Sequence, residues 1–139
     1  ALAMSDSGVM TPDPIERWHR AIEARDAHAL DDLLAEDAIF FSPVVHTPQR
    51  GRRLTAMYLA AAMQVLAEPG FRYVREIVGP RDAVLEFEVD LDGIHVNGVD
   101  LIRWNDEGRI AEFKVMIRPL KAIHAVKERM AAVLGARPE

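Results

Sequence analysis

A chain of 139 residues with a net charge of −5 and no cysteine sets early limits. Its length suits one domain that buries roughly two thirds of its unfolded surface around one core. The acidic balance gives no electrostatic reason to expect nucleic acid, and without cysteine no disulfide, thiolate nucleophile or cysteine-held metal can take part.

The opening ALAMSDSGVMTPDP lacks the basic start and continuous apolar run of a signal peptide, and no later apolar run is long enough to span a bilayer. A cytoplasmic protein without a membrane partner is expected. Ala1 to Ala3 ahead of Met4 read as residues left from expression, and residues 1–12 as a disordered tail before a single domain over 13–135. Ile15, Trp18 and Ile22 repeat at helical spacing after two prolines that suit a helix start, with Thr11 or Asp13 available as cap. Asp26 can cap a second, short helix striped by Leu30, Leu33 and Leu34. AIFFSPVV, Ala38 to Val45, reads as a strand broken by Pro43, and HTPQRG as loop. Arg50, Arg52 and Arg53 decorate that loop as it enters a helix over Leu54 to Glu68, with Met57, Tyr58, Ala61, Ala62 and Val65 on one side.

After Pro69 and Gly70 the pattern changes to strands separated by turn signals: FRYVREIV, AVLEFEVDL, IHVNGVDLIRW and RIAEFKVMI. These predict a four-stranded antiparallel meander, in which Leu85, Phe87 and Val89 alternate against Glu86, Glu88 and Asp90. Pro119 opens a last helix carrying Leu120, Ile123, Val126, Met130 and Leu134, ended by Gly135. The sum is an α+β domain with a long curled sheet covered on one face by helices. A cone-shaped cavity follows from that geometry.

In VNGVDLIRW, counting by twos puts Gly98, Asp100, Ile102 and Trp104 on one face and Val99, Leu101 and Arg103 on the other. Asp100 therefore shares the greasier side, where an ionised, unpaired carboxylate loses several kcal/mol. A carboxyl in such surroundings has its pKa raised and can donate a hydrogen bond or exchange a proton near neutrality.

The element order, together with DAIFFSPVVHTPQRGRR and DLIRWNDEGRIAEFKVMIRPL, resembles the nuclear transport factor 2-like superfamily, in particular its ketosteroid isomerase-like and SnoaL-like members, over about Pro14 to Leu120. The resemblance implies a conical, cystatin-like α+β barrel: a curved antiparallel sheet closed by N-terminal helices, with a C-terminal helix. It also implies a mostly apolar pocket for a small molecule and a homodimer through the outer sheet face. Asp100 matches the hydrogen-bond-donating aspartate of the ketosteroid isomerase pattern. That pattern's tyrosine falls at Trp18 and its general-base aspartate at Ser42, two departures that argue against steroid isomerisation by that mechanism. The epoxide hydrolase pattern fails as well, because Gly98 stands where its arginine would be and the last strand has no aspartate.

Asp100 is thus the candidate acid, and His46, in the loop leaving the first strand, the candidate base that replaces the missing aspartate. Trp18, Phe41, Ser42, Tyr58, Phe87, Val89, Phe113 and Val115 are the candidate ligand-binding residues. On the outer face Glu86 and Glu88 can meet Arg103, Lys114 and Arg118, with Val99, Leu101 and Met116 between them at a dimer axis. The histidines show no paired ligand spacing, so neither a metal nor another cofactor is expected. Two readings stay open: an acid/base enzyme of isomerase, dehydratase, cyclase or hydrolase type acting on a small apolar substrate, and a non-catalytic ligand-binding or structural homodimeric domain.

Overall fold

The computed structural model describes residues 2–4 and 10–135. Leu2–Met4 (β1) pairs antiparallel with Met10–Pro12 (β2), and the rest of the expected N-terminal tail lies outside the described residues. Helix α1, Asp13–Ala24, has a proline in its first turn and Asp13 and Glu16 beside the positive end of its dipole. Pro12 holds the cap position, so no side chain caps this helix. It ends at Arg25 in the left-handed region, whose N–H closes onto Ala21 and Ile22. After the short α2, Ala29–Leu33, strand β3 spans Leu34–Phe41. Asp26 accepts the His28 N–H at 3.0 Å instead of capping α2 itself.

β3 starts earlier and stops earlier than its sequence suggests, and both shifts have local causes. Leu34, expected on a helix stripe, is extended and buried. At the other end Ser42 Oγ accepts the N–H groups of Val44 and Val45 at 3.0 and 3.2 Å. That turn competes with the ladder, and Pro43 has no N–H to give it. The chain returns through β4, Gln49–Arg50, antiparallel to β3. Gly51, at φ 102°, then admits it to α3, Arg52–Leu66. α3 buries Thr55, Leu59, Ala61 and Val65 and leaves Met57 47% exposed, a face rotated from the expected stripe. Buried Thr55 donates to Ala38 O at 3.1 Å, which pins the helix to β3.

Strands β5, Arg72–Val78, β6, Asp82–Leu91, β7, Ile94–Trp104, and β8, Ile110–Arg118, form the expected antiparallel meander. The full sheet runs β4-β3-β8-β7-β6-β5, with β3 parallel to β8. Register shifts interrupt the β3/β8, β5/β6 and β7/β8 pairings, and such bulges bend and twist a sheet. The result is a curved six-stranded sheet whose concave face is covered by helices. α4, Leu120–Val133, buries Ala122 and Val126. The core sits inside the curve around Phe40, Phe87 and Phe113, each under 2% exposed. Gly98 lets it close there: a Cβ at that position would stand 2.5 Å from Phe87 Cζ and 2.7 Å from Met116 O. Among the described residues no helix is long and apolar enough to cross a membrane.

On the outer face, Glu86 and Glu88 find their cations in β5. Arg75 Nε lies 3.3 Å from Glu86 and Arg72 2.5 Å from Glu88, whereas Arg103 pairs with Glu112 at 3.3 Å. The sequence pattern pointed to Arg103, Lys114 and Arg118 instead; Arg72 and Arg75 stand directly opposite Glu88 and Glu86 across the β5/β6 ladder.

Candidate functional site

Alternation along β7 turns Asp100 inward with Gly98, Ile102 and Trp104, all buried, and leaves Asp100 5% exposed. Its neighbours across the ladders are Leu85 of β6 and Val115 of β8, so the strands offer it no polar partner. That partner comes from two strands away. Tyr73 of β5 reaches across Phe87 and donates its hydroxyl to Asp100 Oδ2 at 2.6 Å. Trp18 of α1 in turn donates its indole N–H to Tyr73 Oη at 2.9 Å. Three elements thus supply a directed chain, Trp18 to Tyr73 to Asp100, and Oδ1 makes no hydrogen bond with any described residue.

Burial pushes the Asp100 carboxyl up to about 7, and the Tyr73 hydrogen bond, which favours the charged form, only partly opposes it. Tyr73 is held well above its ordinary value of 10 by burial and then by the neighbouring Asp100 charge. Tyr73 therefore keeps its proton throughout the neutral range, while Asp100 exchanges its own there.

Asp100 and Tyr73 lie in the wall of a cavity of about 500 Å³ between the concave face of the sheet and helices α1, α3 and α4. Five of the residues expected at a ligand line it: Trp18, Ser42, Phe87, Phe113 and Val115. Three do not. Phe41 points out of the sheet under the Lys114 ammonium, 4.9 Å from its ring centre, because the inward parity of β3 belongs to Ala38 and Phe40. Tyr58 stacks on Phe40 behind the cavity wall, with ring centres 5.7 Å apart. Val89 is buried in the core beyond Phe87, opposite Val96.

His46 is not brought to Asp100. The turn at Ser42 faces Val44 into the cavity and carries the chain outward, so that His46 is exposed in the loop before β4. Ser42 does reach the cavity, with its oxygen already accepting two backbone N–H groups.

Sequence reasoning missed Tyr73 and the pair His19 and Glu76. His19 Nε2 of α1 lies 2.9 Å from Glu76 Oε2 of β5 at the cavity rim. The His19 ring stands edge-on to Tyr73, centres 5.3 Å apart. Tyr73 and Glu76 are three residues apart, a spacing that places residues on opposite faces of a regular strand. The bulge between Tyr73 and Arg75 resets the count, so that Tyr73 opposes inward Phe87 and Glu76 opposes inward Leu85. Val74, at the bulge, is exposed, and nothing in the pattern of FRYVREIV marks it. No three histidine, aspartate or glutamate side chains gather to hold a metal among the described residues.

A family model described as the SnoaL-like domain matches residues 15–113. Among solved structures, a steroid delta-isomerase from Pseudomonas aeruginosa is 36% identical, with a TM-score of 0.84 over 88% of this chain and 90% of that one. A conserved bacterial protein with a cystatin-like fold from Silicibacter pomeroyi is 34% identical, with a TM-score of 0.80 over 87% and 84%. The epoxide hydrolase/cyclase-like enzyme SalBIII of salinomycin pyran-ring formation is 18% identical, with a TM-score of 0.60 over 76% and 88%, a likeness of fold alone. No curated protein matches the chain.

Proposed function

The chain belongs to the SnoaL-like domain family, and on that footing we propose that its cavity takes a small, largely apolar molecule bearing a carbonyl or enol oxygen, and that it acts on this molecule by acid/base chemistry of the isomerase kind. The observation that carries this reading is the state of Asp100: a buried carboxyl in the cavity wall, poised near pH 7, with Oδ2 fixed by Tyr73 and Oδ1 without a hydrogen bond to any described residue. Protonated, Oδ1 donates a hydrogen bond to the ligand oxygen. That bond strengthens as negative charge develops on the oxygen, which is differential stabilisation of an enolate-like transition state. The apolar walls, Phe87, Phe113 and Val115, suit the remainder of such a ligand and exclude water from the reacting centre. The 36% identity to a steroid delta-isomerase lends support to the reaction class.

One observation favours a second reading, a binding domain without turnover. Ser42 stands where the ketosteroid isomerase pattern has its base, and a serine tied into a backbone turn removes no proton from carbon.

The working form in this proposal is a cytoplasmic homodimer joined through the outer sheet face. Ile77 and Met116 are 60% and 52% exposed there, with Val84, Leu101 and Val99 continuing the apolar strip between them.

The pocket reading is tested with β-naphthol, an apolar ring carrying one hydroxyl, followed by its fluorescence. Wild-type protein is expected to bind it and Asp100→Leu to bind it roughly tenfold or more weakly, the loss expected for one hydrogen bond in an apolar site. Equal affinity for both proteins refutes the assignment of Asp100 as the oxygen-binding group.

A further inference from the structure

With Asp100 assigned as the acid, a proton transfer at carbon still lacks a base, and neither position suggested by sequence supplies it: Ser42 is locked in its turn and His46 is outside the cavity. The cavity rim holds other ionisable groups. Glu23 is exposed and has no ion pair among the described residues, and Glu68 is paired with Arg129 at 3.8 Å. The remaining set, His19 with Glu76, is held differently.

We propose that His19, oriented by Glu76, is the base that removes a proton from the carbon next to the ligand carbonyl; the proposal rests on Asp100 binding that carbonyl. In this proposal the imidazole proton is assigned to Nε2, the nitrogen that stands 2.9 Å from Glu76 Oε2. The lone pair then lies on Nδ1, which makes no hydrogen bond with any described residue. Glu76 and the edge-on Tyr73 ring restrict the imidazole from two sides, as an orienting carboxylate does for a general-base histidine.

The placement matches the chemistry. Tyr73 gives its hydroxyl to Asp100 and its ring lies against the His19 ring, centres 5.3 Å apart, so one tyrosine contacts both the acid and the base. In the proposed pose a ligand with its carbonyl on Asp100 extends along Tyr73 toward the rim and sets its neighbouring carbon at His19, both residues lining the same cavity. In the forward step Nδ1 takes the proton, the C–H electron pair becomes the enolate C=C bond, and the carbonyl π pair moves to the oxygen held by Asp100. In the return step the imidazolium gives the proton back to the same carbon or to one conjugated with it, and the oxygen regains its double bond. No external oxidant or co-reactant is consumed. Glu76 is a positioning residue in this scheme and His19 the catalytic one.

The test follows deuterium incorporation next to the carbonyl of β-tetralone, an apolar cyclic ketone, by NMR in D2O, alongside β-naphthol binding. Wild-type protein is expected to exchange the ketone faster than buffer does. His19→Ala is expected to lose roughly a hundredfold in the rate at saturating ketone, within the usual range for a general base, with β-naphthol affinity unchanged. Added imidazole is expected to restore part of that loss. Glu76→Gln is expected to slow the saturated rate with little change in the ketone concentration needed for half-saturation. Exchange by His19→Ala at the wild-type rate overturns the proposal, as does wild-type protein that binds β-naphthol yet exchanges the ketone no faster than buffer. Loss of β-naphthol binding together with exchange in His19→Ala, without rescue by imidazole, assigns His19 a structural role and overturns it too. Failure of wild-type protein to bind β-naphthol is a different outcome, and it brings down the pocket reading itself.

Discussion

Replacing Asp100 with asparagine keeps the shape of the carboxylic acid and removes its proton, so the pH dependence of stability isolates what burial costs this one group. Raising a carboxyl from 3.8 to about 7 corresponds to about 4 kcal/mol at ~1.36 kcal/mol per pH unit. Because the folded chain holds this proton more tightly than the unfolded chain, the associated stability is fully present below pH 3.8 and is lost as pH rises through about 7. Between about pH 5 and pH 8 the wild-type protein should therefore lose roughly 3 kcal/mol that Asp100→Asn does not. In a domain of this size that is a divergence of roughly 10 °C in melting temperature. Cavity water reaching Oδ1 lowers these figures without changing their sign. Urea unfolding followed by tryptophan fluorescence reads the effect directly, since Trp18 and Trp104 are 3% and 6% exposed. Stability curves for the two proteins that run parallel across this range would refute the argument, since they would mean that the Asp100 carboxyl is as well solvated in the fold as in the unfolded chain.

Two further outcomes follow from the same structure. Tyr73→Phe removes the hydrogen bond that holds Asp100 down and orphans the Trp18 N–H. Asp100 should then titrate at still higher pH by carbon-13 NMR, with a stability loss of about 1–3 kcal/mol in alkaline buffer; an unmoved titration contradicts the relay. Leu101→Lys places a charge in the middle of the outer apolar strip beside Val84, so sedimentation should show a wild-type dimer and a monomeric variant, and a monomeric wild type removes the proposed interface.

Elements with a clean period were legible from sequence. β6 alternates buried and exposed along its length, and β7 carries Asp100 inward as counting by twos requires. The errors arose where a local interaction resets the count. The Ser42 hydroxyl ends β3 early and the chain then carries His46 to the surface. The bulge at Val74 hides the common face of Tyr73 and Glu76. Neither leaves a trace in hydrophobic periodicity: the Ser42 bond is a local side-chain-to-backbone contact that overrides the strand pattern, and the bulge is set by pairing with β6. The Asp100 pocket was readable because it lies on a regular strand, and Trp18 because it sits on a regular helix stripe; Tyr73 was not, because it comes from the irregular edge strand β5.

The departure at Trp18 has a consequence for the direction of the whole relay. An indole N–H can only donate, so Tyr73 Oη must act as acceptor toward Trp18 and place its own proton on Asp100 Oδ2, the one acceptor it has among the described residues. With Oδ2 already receiving a proton, the proton that Asp100 itself gains near pH 7 belongs on Oδ1, the oxygen without a hydrogen bond to any described residue. A residue at position 18 able both to donate and to accept would leave the proton free to sit on either oxygen. The tryptophan fixes one arrangement, with the Asp100 proton on the oxygen that Tyr73 does not hold. The tyrosine that the ketosteroid isomerase pattern places on the first helix is thus replaced by a donor-only residue there and a tyrosine on β5, and the pair keeps Asp100 oriented as a hydrogen-bond donor.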